Sequence, residues 1–341
     1  MVKVAVVGAT GAVGEVMRQV LDEHKFPYSE IRFLASEKSV GKSLTFQGKT
    51  YQILPISPES FEGIDVVLSS TPSSVSLVSS PMAAAKGAIV VDNSSAWRMD
   101  PEVPLVVPEV NPHHLDSIPK GIVANPNCST IQMLVALKPL HDAATIKRVI
   151  VSTYQASSGK GAKGLEDLDS QVEAIGRGIP VPDAKAHIAR LAGNVLAHDW
   201  KLAEEGYSEE EWKMVRETQK ILGVPDLPVC PTTVRVPVRT GHSESVNVEL
   251  LHPLSPEKAK EILRNAPGII LSDELKGDIT PQPLLCEGRD EVFVGRVRRD
   301  PTVSHGLTLW VVADNLRKGA ATNAVQIAET LLKRGIIPIK R

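Results

Sequence analysis

Apolar and polar positions along the chain fall into two regimes. Residues 2–7 (Val-Lys-Val-Ala-Val-Val) are almost all apolar, as in a strand covered on both faces, and lead through a glycine turn into a helical pattern ending near residue 24. The alternation continues with strands at 31–35, 64–70, 88–92, 105–107 and 122–124 and a helix near 74–86. Strands interleaved with helices predict a parallel, doubly wound sheet. From residue 146 the pattern changes. A strand at 146–154 is followed by helices at 163–176 and 208–222, and the stretches around Pro180, Pro182 and 192–206 read as irregular cover. Strands at 233–238, 245–251, 291–298 and 307–313 have period-two stretches and no helix between each pair, which predicts a mixed or antiparallel sheet. A final alanine-rich helix spans 319–334.

Composition narrows the class without changing the picture. A chain of 341 residues has room for about two domains and a full core. Its 42% apolar and 23% charged residues are ordinary for a globular protein, and a net charge of −2 offers nothing to nucleic acid. Apolar runs fall short of the ~18 residues that span a bilayer. Three separated cysteines, Cys128, Cys230 and Cys286, form neither a disulfide framework nor a metal-ligand pair, and the start of the chain has no signal-peptide pattern. The expectation is a cytoplasmic protein that meets neither membrane nor nucleic acid and carries no metal.

Three stretches carry candidate chemistry. Gly8-Ala9-Thr10-Gly11-Ala12-Val13-Gly14 lies between a strand and a helix, where glycines let the backbone approach a pyrophosphate. Its spacing is G-x-x-G-x-x-G rather than G-x-G-x-x-G. The end of the next strand, Ser36-Glu37-Lys38-Ser39, offers both an acid for a ribose hydroxyl and a base for a 2′-phosphate; two serines and Lys38 tilt the balance toward NADP. In Asn125-Pro126-Asn127-Cys128-Ser129-Thr130, Asn127 suits an N-cap, which puts Cys128 in a first helical turn whose N–H groups and dipole favour a thiolate. Taken alone, Cys128 reads equally as a buried apolar residue. In the second half, Glu217 and Lys220 share a helix face, which by itself suits an exposed ion pair. Arg235 lies inside an apolar strand and needs an anionic partner; Arg239, four residues on, shares its face unless Pro237 interrupts the strand. His242 follows at a glycine turn, and a histidine with an ordinary pKa near ~6.5 moves protons at cellular pH.

The glycine turn, Asn93-Ser94-Ser95-Ala96-Trp97-Arg98, the Cys128 stretch, Tyr154-Gln155-Ala156-Ser157-Ser158-Gly159, Glu217-Thr218-Gln219-Lys220-Ile221, Arg235 with His242-Ser243, and Ala313-Asp314-Asn315-Leu316-Arg317-Lys318-Gly319-Ala320-Ala321 follow one another along nearly the whole chain. Together these motifs resemble those of the aspartate-β-semialdehyde dehydrogenase family. The match resembles most the branch common in Gram-positive and many other bacteria. The resemblance implies an N-terminal Rossmann-like doubly wound domain, 1–127, completed by a C-terminal helix at 315–341. It implies a C-terminal α+β domain with a mixed or antiparallel sheet, 128–314, and a homodimer. The implied activity is NADPH-dependent reductive dephosphorylation of L-4-aspartyl phosphate to L-aspartate 4-semialdehyde through a cysteine thioester. That step serves lysine, diaminopimelate, threonine, methionine and isoleucine biosynthesis.

By the same resemblance Cys128 is the nucleophile, His242 the acid/base, and Gln155 orients the acyl intermediate. Arg235 holds the substrate α-carboxylate and Glu217 meets its amino group, while Arg98, Lys220 and Asn127 bind the phosphate. Gly8, Thr10, Gly11, Ala12, Val13, Gly14, Ser36, Lys38, Ser39, Ser158, Gly159 and Asn315 line the cofactor. The chain departs from the family pattern in two places. Thr233 stands where many members have a cysteine, and Glu37-Lys38 stands where an arginine is common. Two rivals remain: an N-acetyl-glutamyl phosphate reductase, whose substrate has no free amino group for Glu217, and a non-catalytic dinucleotide sensor, which needs no joint set of Cys128, His242 and Arg235.

Overall fold

In the computed structural model, which describes residues 1–273 and 280–337, the chain divides into two compact units: Met1–Asn127 with Ala320–Arg341, and Cys128–Gly319. The first begins with β1 (Val2–Val7), α1 (Ala12–Glu23) and β2 (Tyr28–Ala35). A hairpin follows, β3 (Ser43–Phe46) and β4 (Lys49–Pro55), then β5 (Val66–Ser69), α2 (Ser73–Ala85), β6 (Ile89–Asp92) and β7 (Ile122–Ala124). The sheet order is β3-β4-β2-β1-β5-β6-β7, parallel except for β3. This is the doubly wound sheet, and its valine-rich central strands are buried on both faces.

The hairpin has no counterpart in the predicted elements. Its two-residue turn is Gln47-Gly48, both at positive φ (49° and 72°), which matches the twist of a tight hairpin without the usual Asn-Gly signal. Phe46 and Tyr51 then stand edge-on to Phe33, with ring centroids 5.5 and 5.2 Å away, and so tie the hairpin to β2. The strand expected at 105–107 is not one. Leu105 makes a single bridge to Ala124, and Pro104 and Pro108 deny the ladder its N–H groups. The Asn111 side chain serves the backbone instead, accepting from Val107 N–H (2.9 Å) and donating to Leu105 C=O (2.9 Å).

The second unit opens with α3 (Cys128–Ala144) and β8 (Ile146–Gln155), then α4 (Gly161–Arg177), α5 (Glu209–Leu222), β9 (Val229–Arg235) and β10 (His242–Leu250). It closes with α6 (Pro256–Arg264), β11 (Ile269–Leu271), the single turn α7 (Pro283–Cys286), β12 (Val292–Arg299) and β13 (Gly306–Ala313). The sheet order is β11-β12-β13-β10-β8-β9, with parallel outer pairs and antiparallel inner ones, the mixed sheet expected. Among these, α6, β11 and α7 were not predicted. The strand predicted at 233–238 lies earlier, because Pro237 cannot donate to the ladder and β9 ends at Arg235. A π-helical turn, Arg317–Ala321, leads to α8 (Thr322–Lys333), which joins the core of the first unit through Val325, Ala328 and Leu331. The last four residues of the helical segment expected at 315–341 lie outside the described residues.

Candidate active site

In the first unit β1 runs into Gly8, where φ is +80° and a Cβ would overlap the Ser70 carbonyl. A Cβ on Gly14 would overlap the Gly8 carbonyl, so these two glycines let strand and helix approach. Gly11 differs: its nearest neighbour to a built Cβ is the Gly8 carbonyl oxygen at 3.4 Å, and as N-cap of α1 it offers no side chain to the first turn. Thr10 is exposed and Ala12 and Val13 are half-buried beside it. An open helix start with unshared N–H groups and a positive dipole end suits a pyrophosphate. At the end of β2, Ser36, Glu37 and Lys38 are exposed and Ser39 half-buried in one 3₁₀ turn, so an acid and a base both face outward there.

Arg98 is buried in the loop after β6. It donates from Nε to the Asn125 carbonyl (2.9 Å) and from Nη2 to the Asn93 carbonyl (2.9 Å). The buried Asp92 carboxylate shapes that loop by accepting from the Ser76 and Ser80 hydroxyls (2.6 and 2.7 Å) and the Ser94 N–H (2.7 Å). Asn125 is tied to α8 by Asn323 Nδ2 (2.7 Å), and Asn127, buried, ends this unit.

Cys128 is the first residue of α3 and is half-buried. The turn containing Gly319 packs so close that a Cβ there would lie 2.7 Å from Cys128 Cβ. Of the other thiols, Cys230 is exposed near the Tyr207 hydroxyl (3.7 Å). Burial pushes the Cys286 thiol up to about 12, which leaves it protonated and inert. Gln155, at the end of β8, donates to the Ser129 hydroxyl one residue past Cys128 (2.6 Å) and to Glu210 (3.3 Å).

His242, at the start of β10, is fully buried. Its Nδ1 accepts the Ala156 N–H (3.0 Å), so the neutral ring carries its proton on Nε2, and Nε2 has no hydrogen-bond partner among the described residues. Gln132, one helical turn after Cys128, donates to the His242 carbonyl (3.2 Å). Burial, and then the Arg235 charge, hold the ring well below the usual histidine range, so the ordinary pKa expected for it does not apply. Burial pushes the neighbouring Glu244 carboxyl well above its usual range.

Arg235 ends β9, buried, and donates from Nη1 to the Ala156 carbonyl (2.6 Å). The anion that a buried guanidinium requires is Asp199, 3.0 Å from Nε, with the Trp200 ring 4.5 Å from the guanidinium carbon. A Cβ on Gly159 would lie 2.9 Å from Arg235 Nη1 and 3.5 Å from His242 Nε2, so all three residues border one small space. Ser158 and the Gly241 N–H both donate to Asn315 Oδ1 (3.0 and 2.9 Å), which ties the 156–160 loop to the turn before His242.

Some expected groupings do not occur. Arg239 lies past the strand end, exposed and paired with Asp169, not on a face with Arg235. Glu217 is buried on α5 and Lys220 is half-buried, so the face they share is not an exposed one. Sequence reasoning also passed over Asp199, Trp200 and His187, which lie in the stretches read as cover, and it gave Gly319 no role. The one available signal was Arg235 itself, whose burial demanded an anion somewhere. No group of three His, Cys, Asp or Glu among the described residues is arranged to hold a metal ion, and no described helix is long and apolar enough to cross a membrane.

Comparison with known proteins points one way. Residues 3–118 match the family model "Semialdehyde dehydrogenase, NAD binding domain", and residues 137–318 match "Semialdehyde dehydrogenase, dimerisation domain". The aspartate-semialdehyde dehydrogenase of Aquifex aeolicus is 54% identical over 98% of this chain and 99% of its own length. That of Bacillus subtilis is 46% identical over 98% of both chains. A Vibrio cholerae aspartate semialdehyde dehydrogenase II complexed with ASA superposes with a TM-score of 0.94 at 45% identity, covering 98% of each chain. The Candida albicans enzyme with NADP does so with a TM-score of 0.77 at 27% identity, over 99% of this chain and 100% of that one. With a doubly wound domain carrying a glycine turn, a half-buried cysteine at a helix start, and this likeness over nearly its whole length, the chain belongs to the aspartate-semialdehyde dehydrogenase family.

Proposed function

We propose that this chain reduces L-4-aspartyl phosphate to L-aspartate 4-semialdehyde with NADPH, through a thioester on Cys128. The observation that carries the reading is the small space bordered by Gly159, Arg235 Nη1 and His242 Nε2. A carboxylate grip and a neutral hydrogen-bond donor meet there, on elements next to a helix that opens with a half-buried thiol.

An acyl phosphate is an activated carbonyl that a thiolate displaces readily. The Cys128 thiolate, favoured at the N-terminus of α3, attacks the acyl carbon and inorganic phosphate leaves. Arg98 and Lys220, with Asn127, take the phosphate charge, and Arg235 grips the α-carboxylate through its fork while Glu217 meets the amino group. Gln155, pinned to the Ser129 hydroxyl, orients the acyl group. The nicotinamide, when bound, supplies the hydride that reduces the thioester carbon. His242 Nε2–H donates to the oxygen as charge builds on it, and collapse releases the aldehyde and returns the thiolate. A second proton on the ring has to go to Nδ1, which the Ala156 N–H occupies, so donation is the part of the acid/base role that this geometry favours.

Gly8, Thr10, Gly11, Ala12, Val13 and Gly14 hold the pyrophosphate in this reading. Ser158, Gly159 and Asn315 border the nicotinamide side, and Ser36, Lys38 and Ser39 receive the 2′-phosphate. A structure of the Candida albicans enzyme with NADP supports the choice of NADP in this reading. The same reading makes the chain a cytoplasmic homodimer supplying precursors for lysine, diaminopimelate, threonine, methionine and isoleucine. Large apolar side chains left exposed on the second unit support the dimer: Ile150 and Tyr154 on the outer sheet face, and Val172, Ile175, Ile179 and Val195 beyond it.

The test is turnover in the reverse direction. Aspartate semialdehyde, phosphate and NADP should raise the reduced-nicotinamide absorbance, with NAD far weaker, and Cys128→Ala should abolish the signal while still binding NADP. Turnover surviving in Cys128→Ala sinks the nucleophile assignment, and equal rates with NAD sink the NADP preference.

A further inference from the structure

Behind Arg235 lies a polar cluster centred on Asp199, a residue in none of the motifs. Asp199 is fully buried and its carboxylate takes four donors. Oδ2 accepts from Arg235 Nε (3.0 Å) and His187 Nδ1 (2.6 Å), and Oδ1 accepts from the Ile188 N–H (2.9 Å) and Lys160 Nζ (3.0 Å). The chain continues from His187 Nε2 to the Ser157 hydroxyl (2.8 Å), which itself donates to the Gly164 carbonyl (2.6 Å). His187 thus bridges the Asp199 carboxylate and the Ser157 hydroxyl through its two ring nitrogens. Lys160 also donates to the Ala186 carbonyl (2.7 Å), and the Asp167 carboxylate gathers the N–H groups of Lys185, Ala186 and His187 (3.1, 3.0 and 3.2 Å). Burial opposes the Asp199 charge, but the His187, Ile188 and Lys160 hydrogen bonds and the Arg235 charge outweigh it, so the carboxyl stays ionised far below the usual range.

We propose that Asp199 is the positioning residue of the substrate grip. A guanidinium can swing about its Cδ–Nε bond. Asp199 on Nε, Trp200 on one face and the Ala156 carbonyl on Nη1 leave it one plane, with its Nη edge toward Gly159 and His242. Through His187 and Lys160 the same carboxylate ties that plane to the 156–160 loop, whose Ala156 N–H sets the His242 tautomer. Three cationic or donating side chains share one negative charge, so Arg235 keeps positive charge for an anionic substrate group. A role for Asp199 in the fold alone requires none of this aim.

The inference rests on Arg235 being the α-carboxylate grip, and the experiment separates the two ideas. It compares kcat/KM for aspartate semialdehyde with that for 3-aminopropanal, which lacks only the α-carboxylate, in the wild type and in Asp199→Asn and Asp199→Glu. A ratio within each protein is insensitive to loss of folded material. The wild type should prefer the carboxylate-bearing aldehyde. The Asn variant should lose about tenfold to a hundredfold of that preference, with the KM for NADP within about threefold of wild type. The Glu variant, which keeps the charge but displaces it, should lose less. An unchanged preference in Asp199→Asn overturns the positioning role. No preference in the wild type overturns the reading of Arg235 instead. If neither variant folds, NMR of the wild type decides: the Arg235 Nε–H, assigned through Arg235→Lys, should be protected from solvent exchange, and free exchange overturns the proposal.

Discussion

His242 is an ordinary residue in an unusual setting, and its setting predicts its pH behaviour. Its native pKa lies below the unfolded value near ~6.5 because burial and Arg235 disfavour the charged ring. In the proposed reaction the neutral form is therefore the working form, and activity should hold as pH falls through 6.5 and fail only lower, when the ring is forced to ionise. An acid limb in kcat/KM near ~6.5 that disappears in a His242→Gln variant counts against this. The same shift has a stability sign. Below about 6.5 the unfolded ring binds a proton that the native ring does not, so this contribution is present at neutral pH and is lost as pH falls. Thermal melts of wild type and His242→Gln should therefore converge as the buffer is acidified from neutral.

Gly159 carries the other residue-scale prediction. A methyl group there meets Arg235 Nη1 at 2.9 Å and His242 Nε2 at 3.5 Å, in the space assigned to substrate. Gly159→Ala should cost about a hundredfold in kcat/KM for aspartate semialdehyde, by analogy with the loss of a placed donor, while Tm moves by only a few degrees. Near-normal turnover would place the substrate elsewhere.

At the scale of elements, the proposed thioester chemistry depends on how closely the turn before α8 approaches the start of α3. The π-helical turn brings Gly319 against Cys128, and a Cβ at 2.7 Å from another Cβ requires one backbone to move. Gly319→Ala should shift the Cys128 side chain, slow its alkylation by iodoacetamide several-fold and depress turnover, with NADP affinity kept. Wild-type alkylation and turnover together would show that the turn can yield at no cost. Elements also show how far local pattern reaches. The valine-rich β1, the Glu-rich start of α5 and the period-two β10 are legible because one rule governs each. The β3–β4 hairpin is not, because Gln47-Gly48 is a weak turn signal and its strands are stabilised by aromatic contacts with β2. The stretch at 105–107 misleads in the opposite sense: its side chains suit a strand, but the flanking prolines and Asn111 give its backbone other partners.

For the whole molecule the open matter is a second copy. A lone chain leaves Ile150 and Tyr154 39% and 37% exposed on the outer sheet face, with the Trp310 ring tilted at 47° and 5.4 Å from that of Tyr154. On the proposed dimer, Ile150→Asp on that face should give a monomer in sedimentation without unfolding the chain, because the site is solvent-facing in the single chain. An unchanged dimer moves the interface to the exposed apolar residues between 172 and 195.

By itself the sequence determined what local pattern can encode. Strand and helix periods set the two fold classes, the glycine spacing marked a candidate cofactor turn, and the start of a helix marked Cys128 as a candidate. It also imposed a requirement it could not satisfy: a guanidinium inside an apolar strand must find an anion. Tertiary structure alone supplied Asp199, 36 residues upstream in a segment without periodicity. It also set the tautomer of His242 through Ala156, 86 residues away, and sorted three similar cysteines into half-buried, exposed and inert. The reason is physical. Hydrophobic periodicity is a property of neighbouring residues, but desolvation, a guanidinium's plane and a ring's proton depend on which distant groups the folded chain brings within ~3 Å.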